Sequence, residues 1–240
     1  MSKVALCLSG EVRNNFKEAL KSMKENIIDI TNCDIFLFIK KDDINRQYFT
    51  LLKEFNLLPK VIIERKDEDL DLQNKDNPFI KLFKGSNTNK YLRQAFFVTG
   101  CNNIKKYIEE IEEFKYSWVI RSRLDMLIIN SINLDNLDNN FLYTPYFKKY
   151  EEDNIKNLER GKHGNITIYD RFAFGSSEIM DIYGDWYNVI HENKIEVPKE
   201  DSKYYSLISV ESQLRYILDS YNINYKHTDL ETRRTKSSTS

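Results

Sequence analysis

The sequence predicts an α/β fold in which a mostly parallel central sheet is flanked by helices, within a single domain. Strand-like and helix-like patterns alternate along the first half of the chain, and this alternation favours a parallel sheet. A chain of 240 residues and 28.6 kDa can build one sizeable hydrophobic core. Since no internal repeat or change of composition marks a boundary, we expect one domain over residues 1–230. Residues 231–240 are basic and rich in Ser and Thr, which predicts a flexible tail.

The N-terminal elements are predicted from their hydrophobic spacing. An apolar run over residues 3–9 is typical of a buried strand, and Gly10 then opens a helix whose apolar residues recur every three or four positions. A second strand is predicted over residues 33–39, a second helix over 44–55 and a third, short strand over 61–64. This order brings the strands together in parallel, with the helices covering the sheet.

The rest of the chain continues this pattern with longer interruptions. Two polar stretches, residues 66–89 and 146–165, are predicted as surface excursions, and each also suits a loop that closes over a site. The remaining predicted elements are helices over 91–113, 177–191 and 210–219, and strands over 118–125, 126–129, 141–143, 169–175 and 221–227.

Composition excludes several functional classes. The formal net charge is −1, so the chain lacks the basic balance of a nucleic-acid binder. No apolar run approaches the ~18 residues that a transmembrane helix needs, and no export signal precedes the first strand. Cys7, Cys33 and Cys101 lie far apart without metal-ligand spacing, which favours reduced core residues. We therefore expect a cytoplasmic protein with no nucleic-acid partner and no transmembrane segment.

The strand over residues 118–125 ends in an unusual group of charges. Arg121, Arg123 and Asp125 occupy alternate positions after an apolar run, so in a strand they share one face. Guanidinium groups match phosphate oxygens, and a carboxylate can hold a hard divalent cation that bridges them. The pattern fits a metal-bound diphosphate site, and it equally fits a salt-bridged strand end.

Two further segments contain candidate nucleotide-binding residues. Ser9 and Gly10 lie at the turn between the first strand and the first helix, where free backbone amides favour anions, and Arg13 follows them. The alternative is an ordinary turn, because the spaced glycines and the lysine of known phosphate loops are missing. Tyr91 and Gln94 lie one helical turn apart, where they could contact a nucleobase or ribose, or simply form helix surface.

Three residues in the C-terminal half are candidates for chemistry. Asp170 could accept hydrogen bonds from sugar hydroxyls, or it could pair with the neighbouring Arg171. Glu211 could act as a general base, or it could stabilise the start of a helix. His227 could complete a metal site with Asp125, although a lone histidine is more often structural.

Taken in order, these segments resemble a group of small GT-A-type glycosyltransferase-like proteins found in polysaccharide and capsule clusters and in some large DNA viruses. The resemblance runs over most of residues 3–218. Its more specific parts are the Arg-x-Arg-x-Asp strand end and the Asp-Arg-Phe-x-Phe-Gly strand. The matching segments are Leu8-Ser9-Gly10-Glu11-Val12-Arg13-Asn14, Cys33-Asp34-Ile35-Phe36, Tyr91-Leu92-Arg93-Gln94, Tyr116 to Asp125, Asp170 to Gly175, and Glu211-Ser212-Gln213-Leu214.

The resemblance implies a Rossmann-like nucleotide-diphospho-sugar transferase fold whose donor lies across the carboxyl ends of the parallel strands. The usual Asp-x-Asp motif of such enzymes corresponds to Arg123-Leu124-Asp125, in which arginine replaces the first carboxylate. Two interpretations follow from that departure. Asp125 alone could anchor Mn²⁺ or Mg²⁺, or the arginines could neutralise the diphosphate directly.

The implied activity is transfer of a sugar from a UDP- or GDP-linked donor to a hydroxyl of a glycan or glycolipid acceptor. In this hypothesis Ser9, Gly10 and Arg13 bind the nucleotide. Arg121, Arg123 and Asp125 stabilise the departing diphosphate, with or without a cation. Two alternatives remain. One is a non-catalytic nucleotide-sugar-binding or glycan-binding protein of the same fold. The other is a sugar nucleotidyltransferase, which should carry a phosphate loop rich in glycine and lysine.

Overall fold

The computed structural model describes residues 3–13, 15–41, 47–66, 77, 88–145, 168–197 and 210–235. Almost all of the two polar stretches predicted as surface excursions, and the last five residues of the chain, lie outside these ranges. No helix within them is long and apolar enough to cross a membrane.

A seven-stranded sheet forms the centre of the described structure. Its strands are β1 (Val4–Gly10), β2 (Asp34–Lys40), β3 (Val61–Arg65), β4 (Trp118–Arg123), β6 (Leu142–Pro145), β7 (Phe172–Gly175) and β8 (Tyr225–Thr228). A second sheet of two strands joins β5 (Met126–Ile128) to β9 (Thr232–Arg234). The central strands follow the order β3-β2-β1-β4-β7-β6-β8. Strand β7 is antiparallel to both of its neighbours, and the other adjacent pairs are parallel, which confirms the predicted, mostly parallel sheet.

Six helices flank the sheet in the part of the chain that the structure describes. They are α1 (Phe16–Met23), α2 (Gln47–Glu54), α3 (Thr88–Ile111), α4 (Ser177–Gly184), α5 (Trp186–His191) and α6 (Val210–Ser220). A π-helical turn (Lys24–Ile28) and a short α-helical turn (Asp29–Thr31) extend α1. Ser176 caps α4, since its hydroxyl accepts a hydrogen bond from the amide of Ile179, as expected of a serine before a helix.

The two faces of the sheet bury separate hydrophobic cores. Leu6, Leu8 and Ile120 pack on the α1 side, whereas Ala5 and Val119 pack on the α3 side. Because successive strand residues point to opposite faces, the alternate positions that continue the α3 side in β1 and β4 run on to polar residues at the carboxyl ends of those strands. The register of the strands therefore decides which polar side chains meet.

Helix α3 lies directly on β2 on that side of the sheet. A Cβ atom at Gly100 would come within 2.5 Å of the ring of Phe38, so glycine permits this close approach. Leu92 and Cys101 of the same helix belong to the core. The predicted helix over 91–113 is thus confirmed, and it begins one turn earlier, at Thr88. Its N-terminal turns lie near the carboxyl ends of the parallel strands.

The segment predicted as a tail begins with an ordered strand. Met126 pairs with Arg234 and Ile128 with Thr232 across the two-stranded sheet. The amide of Thr235 donates a hydrogen bond of 3.0 Å to the carbonyl of Asp125. Local composition could not reveal this strand, because its partner lies about a hundred residues earlier in the chain.

Candidate functional site

A cavity of about 290 Å³ opens where the carboxyl ends of β1, β2 and β4 meet the N-terminal part of α3. Six basic and two acidic side chains line it, so its charge is strongly positive although the whole chain is nearly neutral. We call it the cation-lined cavity. Its lining residues are Ser9, Gly10, Glu11, Arg13, Lys40, Lys90, Arg93, Gln94, Phe97, Arg121, Arg123, Leu124 and Asp125.

The end of β1 contributes a glycine with open space around it and a buried serine hydroxyl. Gly10 has a φ of +118°, a conformation that side chains rarely adopt, and no atom lies within 4 Å of the position of a Cβ. Ser9 is buried, yet its hydroxyl has no hydrogen-bond partner in the described structure. A buried polar atom without a partner is costly, and here it lies in the wall of a cavity that could hold one.

The carboxyl end of β4 places two arginines beside that hydroxyl. In the pairing of β1 with β4, Cys7 lies opposite Arg121 and Ser9 opposite Arg123. Arg121 is buried, and one of its terminal nitrogens donates a hydrogen bond to the carbonyl of Asp170. Its Nε atom has no hydrogen-bond partner among the described residues. The guanidinium group is thus fixed in place while keeping a donor for an incoming group.

Asp125, just beyond β4, is surrounded by three arginines. Its Oδ1 accepts a hydrogen bond from Arg123 Nε at 2.9 Å, and its Oδ2 accepts one from Arg123 Nη2 at 2.8 Å. Arg13 Nη1 and Arg234 Nε each lie 3.2 Å from the same Oδ2. Burial by itself would raise the pKa of Asp125, but the arginines lower it below its ordinary value. We call these four residues the Asp125 cluster.

A second carboxylate partly balances the opening of the cavity. Glu11 lies 3.5 Å from Arg13 and 3.9 Å from Lys40, measured between charged atoms. Its side chain is about half exposed, at 47%, so water screens these interactions. Both contacts leave the cations accessible to a competing anion.

One face of α3 forms the opposite wall. Lys90, Arg93, Gln94 and Phe97 line the cavity and recur at the helical spacing that places side chains on one face. Of these, only Gln94 was predicted from the sequence as a site residue. Tyr91, its predicted companion, packs against the core on the α3 side. The helical spacing of Lys90 and Arg93 with Gln94 was the signal that could have revealed the two cations.

Asp170 lies behind this wall. Its Oδ2 accepts a hydrogen bond from Gln94 Nε2 at 2.6 Å, and its carbonyl accepts the one from Arg121. Its other carboxylate oxygen, Oδ1, is buried without a hydrogen-bond partner in the described ranges, and lies 3.7 Å from Arg171 Nε. The structure therefore connects Asp170 to the cavity through two of its lining residues.

Glu211 and His227 lie in different surroundings. Glu211 is in the first turn of α6, and its carbonyl accepts a hydrogen bond from the amide of Ile168 at 3.2 Å. Burial by itself would lower the pKa of Arg171. Its neighbours Asp170, Tyr169, Glu211 and Asp125 raise that pKa above its ordinary value. His227 is exposed on β8, with its Nδ1 atom 3.3 Å from Thr144 Oγ1. Strands β7 and β6 separate β8 from β4, so His227 lies apart from Asp125.

The described side chains around the cavity do not form a set of metal ligands. Within the described ranges, no group of three or more histidine, cysteine or carboxylate side chains is placed to hold one. The predicted pairing of Asp125 with His227 does not form such a group. The geometry instead offers several guanidinium and ammonium groups around one cavity, which suits a ligand with several negative charges.

Comparison with known proteins gives one family and a fold. The profile of a family described as "Domain of unknown function (DUF7796)" matches residues 1–161. A sequence search of curated proteins gives no significant match. Among solved structures, core-mannan synthase A from Aspergillus fumigatus, in its Mn/GDP form, superposes with a TM-score of 0.52 at 12% identity, covering 98% of this chain and 75% of that one. Mouse xyloside xylosyltransferase 1, in its apo form, gives a TM-score of 0.47 at 12% identity, covering 95% and 84%.

The structural likeness establishes the fold and nothing finer. A seven-stranded, mostly parallel sheet between helices, in one domain, matches the GT-A glycosyltransferase fold. The fold class predicted from the sequence is therefore confirmed. At 12% identity a shared fold does not transfer a substrate, because unrelated functions occur on one fold.

Proposed function

We propose, from the premise that this chain belongs to the DUF7796 family and has a GT-A-type fold, that it is a glycosyltransferase using a nucleotide-diphosphate sugar. The reaction would move the sugar from the diphosphate to a hydroxyl of a glycan or glycolipid acceptor. A UDP- or GDP-linked donor fits the proposal, and the Aspergillus fumigatus structure is described as a Mn/GDP form.

One observation carries the proposal. The six basic side chains converge on a cavity at the carboxyl ends of parallel strands, which is where open α/β sheets bind nucleotides. A nucleoside diphosphate carries several negative charges on closely spaced oxygens, and fixed guanidinium forks match that arrangement. Neither a neutral sugar nor an apolar ligand requires so many cations.

The lining residues divide into two proposed roles. Ser9, Gly10 and Arg13 would hold the nucleotide at the open turn after β1, with Gln94 near its base or ribose. Tyr91, which packs against the core, would support the same helix rather than contact the nucleotide. The second role belongs to the two arginines at the end of β4. As the bond between the sugar and the diphosphate breaks, negative charge grows on the leaving oxygen, and preorganised donors stabilise that charge.

Asp170 and Glu211 are the proposed residues for the sugar or the acceptor. The Oδ1 of Asp170 is a buried acceptor without a hydrogen-bond partner in the described structure, although it lies 3.7 Å from Arg171 Nε. It would accept a hydrogen bond from a hydroxyl of the donor sugar. Gln94 and Arg121 hold this carboxylate and its backbone in place. Glu211 would contact the acceptor or take the proton from its hydroxyl, as a general base does.

A thermal-shift screen of UDP- and GDP-sugars, followed by an assay for release of the nucleoside diphosphate, tests the proposal. A ligand at about 100 times its Kd should stabilise the folded state by about 2.7 kcal/mol. Release of the diphosphate with and without candidate glycans then reports turnover. Arg233→Gln, an exposed residue of β9 outside the cavity lining, is a control that should respond like the wild type.

Three outcomes of this experiment are informative. Stabilisation together with acceptor-dependent release supports the transferase. Stabilisation without turnover of any donor would favour the alternative of a nucleotide-sugar-binding protein that has lost catalysis. No stabilisation by any nucleotide sugar would overturn the proposed function.

A further inference from the structure

We infer that the Asp125 cluster binds the diphosphate of the donor through its arginines without a divalent cation, and that Arg234 belongs to the binding site. The inference rests on the proposed function and specifies how the same cavity recognises its ligand. It assigns to Arg13, Arg123 and Arg234 the charge neutralisation that a metal ion would otherwise supply.

The carboxylate contacts of Asp125 are with cationic side chains. Both of its carboxylate oxygens already interact with guanidinium groups: Arg123 bonds to both, and Arg13 and Arg234 approach Oδ2. A hard divalent cation binds directly to carboxylate oxygens. Such a cation would have to displace arginines whose positive charges would then repel it. The carboxylate is therefore placed to orient the arginines through ion pairs rather than to bind a metal ion.

The missing companion ligands give the second step. Mg²⁺ and similar ions need several oxygen ligands in regular geometry. Position 123, two residues before Asp125, is an arginine. No cluster of three candidate ligands exists within the described ranges. The described residues around Asp125 do not fit Mn²⁺ or Mg²⁺.

Charge and exposure give the third step. One carboxylate stands against three guanidinium groups, which leaves a positive excess at the cavity. The side chain of Asp125 is 3% exposed, whereas those of Arg13, Arg123 and Arg234 are 31%, 17% and 43% exposed. The shared carboxylate is therefore buried while its arginines reach solvent. An incoming diphosphate can contact the guanidinium groups without displacing Asp125, which acts as a positioning residue.

Arg234 reaches the site only through the C-terminal strand. Pairing of β9 with β5 sets Arg234 opposite Met126, the residue after Asp125. Both the amide and the hydroxyl of Thr235 donate to the carbonyl of Asp125, at 3.0 and 3.1 Å. Three segments that are distant in sequence thus deliver one arginine each to a single carboxylate.

Calorimetric titration of the full chain with UDP, GDP and inorganic pyrophosphate tests the inference. Each titration is done in EDTA and again with Mn²⁺ or Mg²⁺. We expect binding in EDTA, with a Kd that the metal changes by less than about threefold, whereas a metal-built site should lose more than about tenfold in EDTA. Pyrophosphate should bind as well, because the arginines recognise the diphosphate and not the nucleoside.

The outcomes separate this inference from the proposed function. Nucleotide binding that needs the metal overturns the inference and leaves the proposed function standing. Metal-independent binding of pyrophosphate without binding of either nucleotide supports the arginine site and overturns the proposed nucleotide-sugar donor. No binding of any probe in either buffer overturns both.

Matched variants test the individual residues. Arg123→Gln should weaken metal-free binding by about tenfold or more, and Arg123→Lys should restore part of it, since charge returns without the bidentate fork. Arg234→Gln should weaken binding about threefold to tenfold. The control is Arg233→Gln, the neighbouring position in β9, which removes the same charge and should leave Kd unchanged. If Arg233→Gln and Arg234→Gln weaken binding equally, the loss of affinity comes from the change in net charge alone. That result would overturn the assignment of Arg234.

Asp125→Asn tests the positioning role. The variant keeps an oxygen for hydrogen bonding but loses the charge that gathers the arginines, so binding should weaken equally in EDTA and in Mn²⁺. A variant that loses a metal response present in the wild type would instead identify Asp125 as a metal ligand and overturn the inference.

Discussion

Two groups of buried charge in the described structure differ in whether their positive and negative charges balance. In the Asp125 cluster one carboxylate meets three arginines beside an open cavity. The other group, which we call the Lys105 cluster, joins α3 to α4 and consists of Lys105, Glu109, Lys115, Ser177 and Asp181. Lys105 is fully buried, and its ammonium donates to Glu109 at 3.0 Å, to Ser177 at 2.5 Å and to Asp181 at 2.6 Å.

The Lys105 cluster is balanced in both charge and hydrogen bonds. Two lysines face two carboxylates, and the oxygens of Glu109 also accept from Ser177, Lys115 and the amide of Tyr116. The Asp125 cluster has excess positive charge, and unpartnered polar atoms of Ser9 and Arg121 lie in the same cavity wall. We therefore expect the balanced cluster to stabilise the fold, whereas the excess cations of the Asp125 cluster suit an anionic ligand.

Removing the cation of the balanced cluster should have the largest effect. Lys105→Met leaves two carboxylates without their buried partner, which typically costs about 3–5 kcal/mol of unfolding free energy. Lys115→Met is the matched control, because that side chain is 53% exposed and should cost less than about 1 kcal/mol. Urea denaturation of both variants gives the comparison. A loss below about 1 kcal/mol in Lys105→Met would contradict a stabilising role for the cluster.

Acid should weaken the same cluster, whereas the guanidinium groups of the Asp125 cluster keep their positive charge at low pH. Burial raises the pKa of Glu109, but bonds from Ser177, Tyr116 and Lys105 lower it overall, below its ordinary 4.5. Stability from a lowered pKa is present above the unfolded value and is lost as the pH falls through the folded one. The difference in unfolding free energy between wild type and Glu109→Gln should therefore be constant from about pH 6 to 8 and shrink below about pH 4.5. A difference that grows in acid would contradict this ionisation.

A change in the unbalanced cluster should affect binding more than folding. Arg123→Gln leaves Asp125 with two of its three arginines, so we expect a loss of only about 1–2 kcal/mol in urea denaturation. Nucleotide affinity should fall by about tenfold or more in the same preparation. The reverse result, with a large loss of stability and unchanged affinity, would mean that both clusters are structural.

The smallest effect should come from Ser9, when it is compared with Ser177, a buried serine of the balanced cluster. Ser9→Ala removes a hydroxyl that has no hydrogen-bond partner in the described structure, so unfolding free energy should change by less than about 0.5 kcal/mol, while nucleotide affinity falls about threefold. Ser177→Ala, in the balanced cluster, removes two bonds and should cost about 1–3 kcal/mol. Thermal unfolding and calorimetric titration measure both quantities. Equal stability losses in the two variants would remove the distinction.

Part of the candidate site could be predicted from the sequence. The alternation at Arg121, Arg123 and Asp125 placed the arginines on one face, because strand geometry has a period of two. The turn at Ser9 and Gly10 was visible because a glycine followed a buried strand. Lys40 was missed because it lies at the end of β2, and only packing brings that end to the same cavity. Lys90 was missed although its helical spacing with Gln94 places both on one face of α3.

Local spacing in the sequence predicts the order of strands and helices along the chain, the helices that cover the sheet and the charged end of β4. Which charges meet depends on packing between segments that are distant in sequence. Arg234 was expected to lie in a flexible tail, yet the pairing of β9 with β5 brings it to Asp125. Register and strand pairing are set by contacts between distant segments. In the described part of a nearly neutral chain, these contacts gather six basic side chains around a cavity.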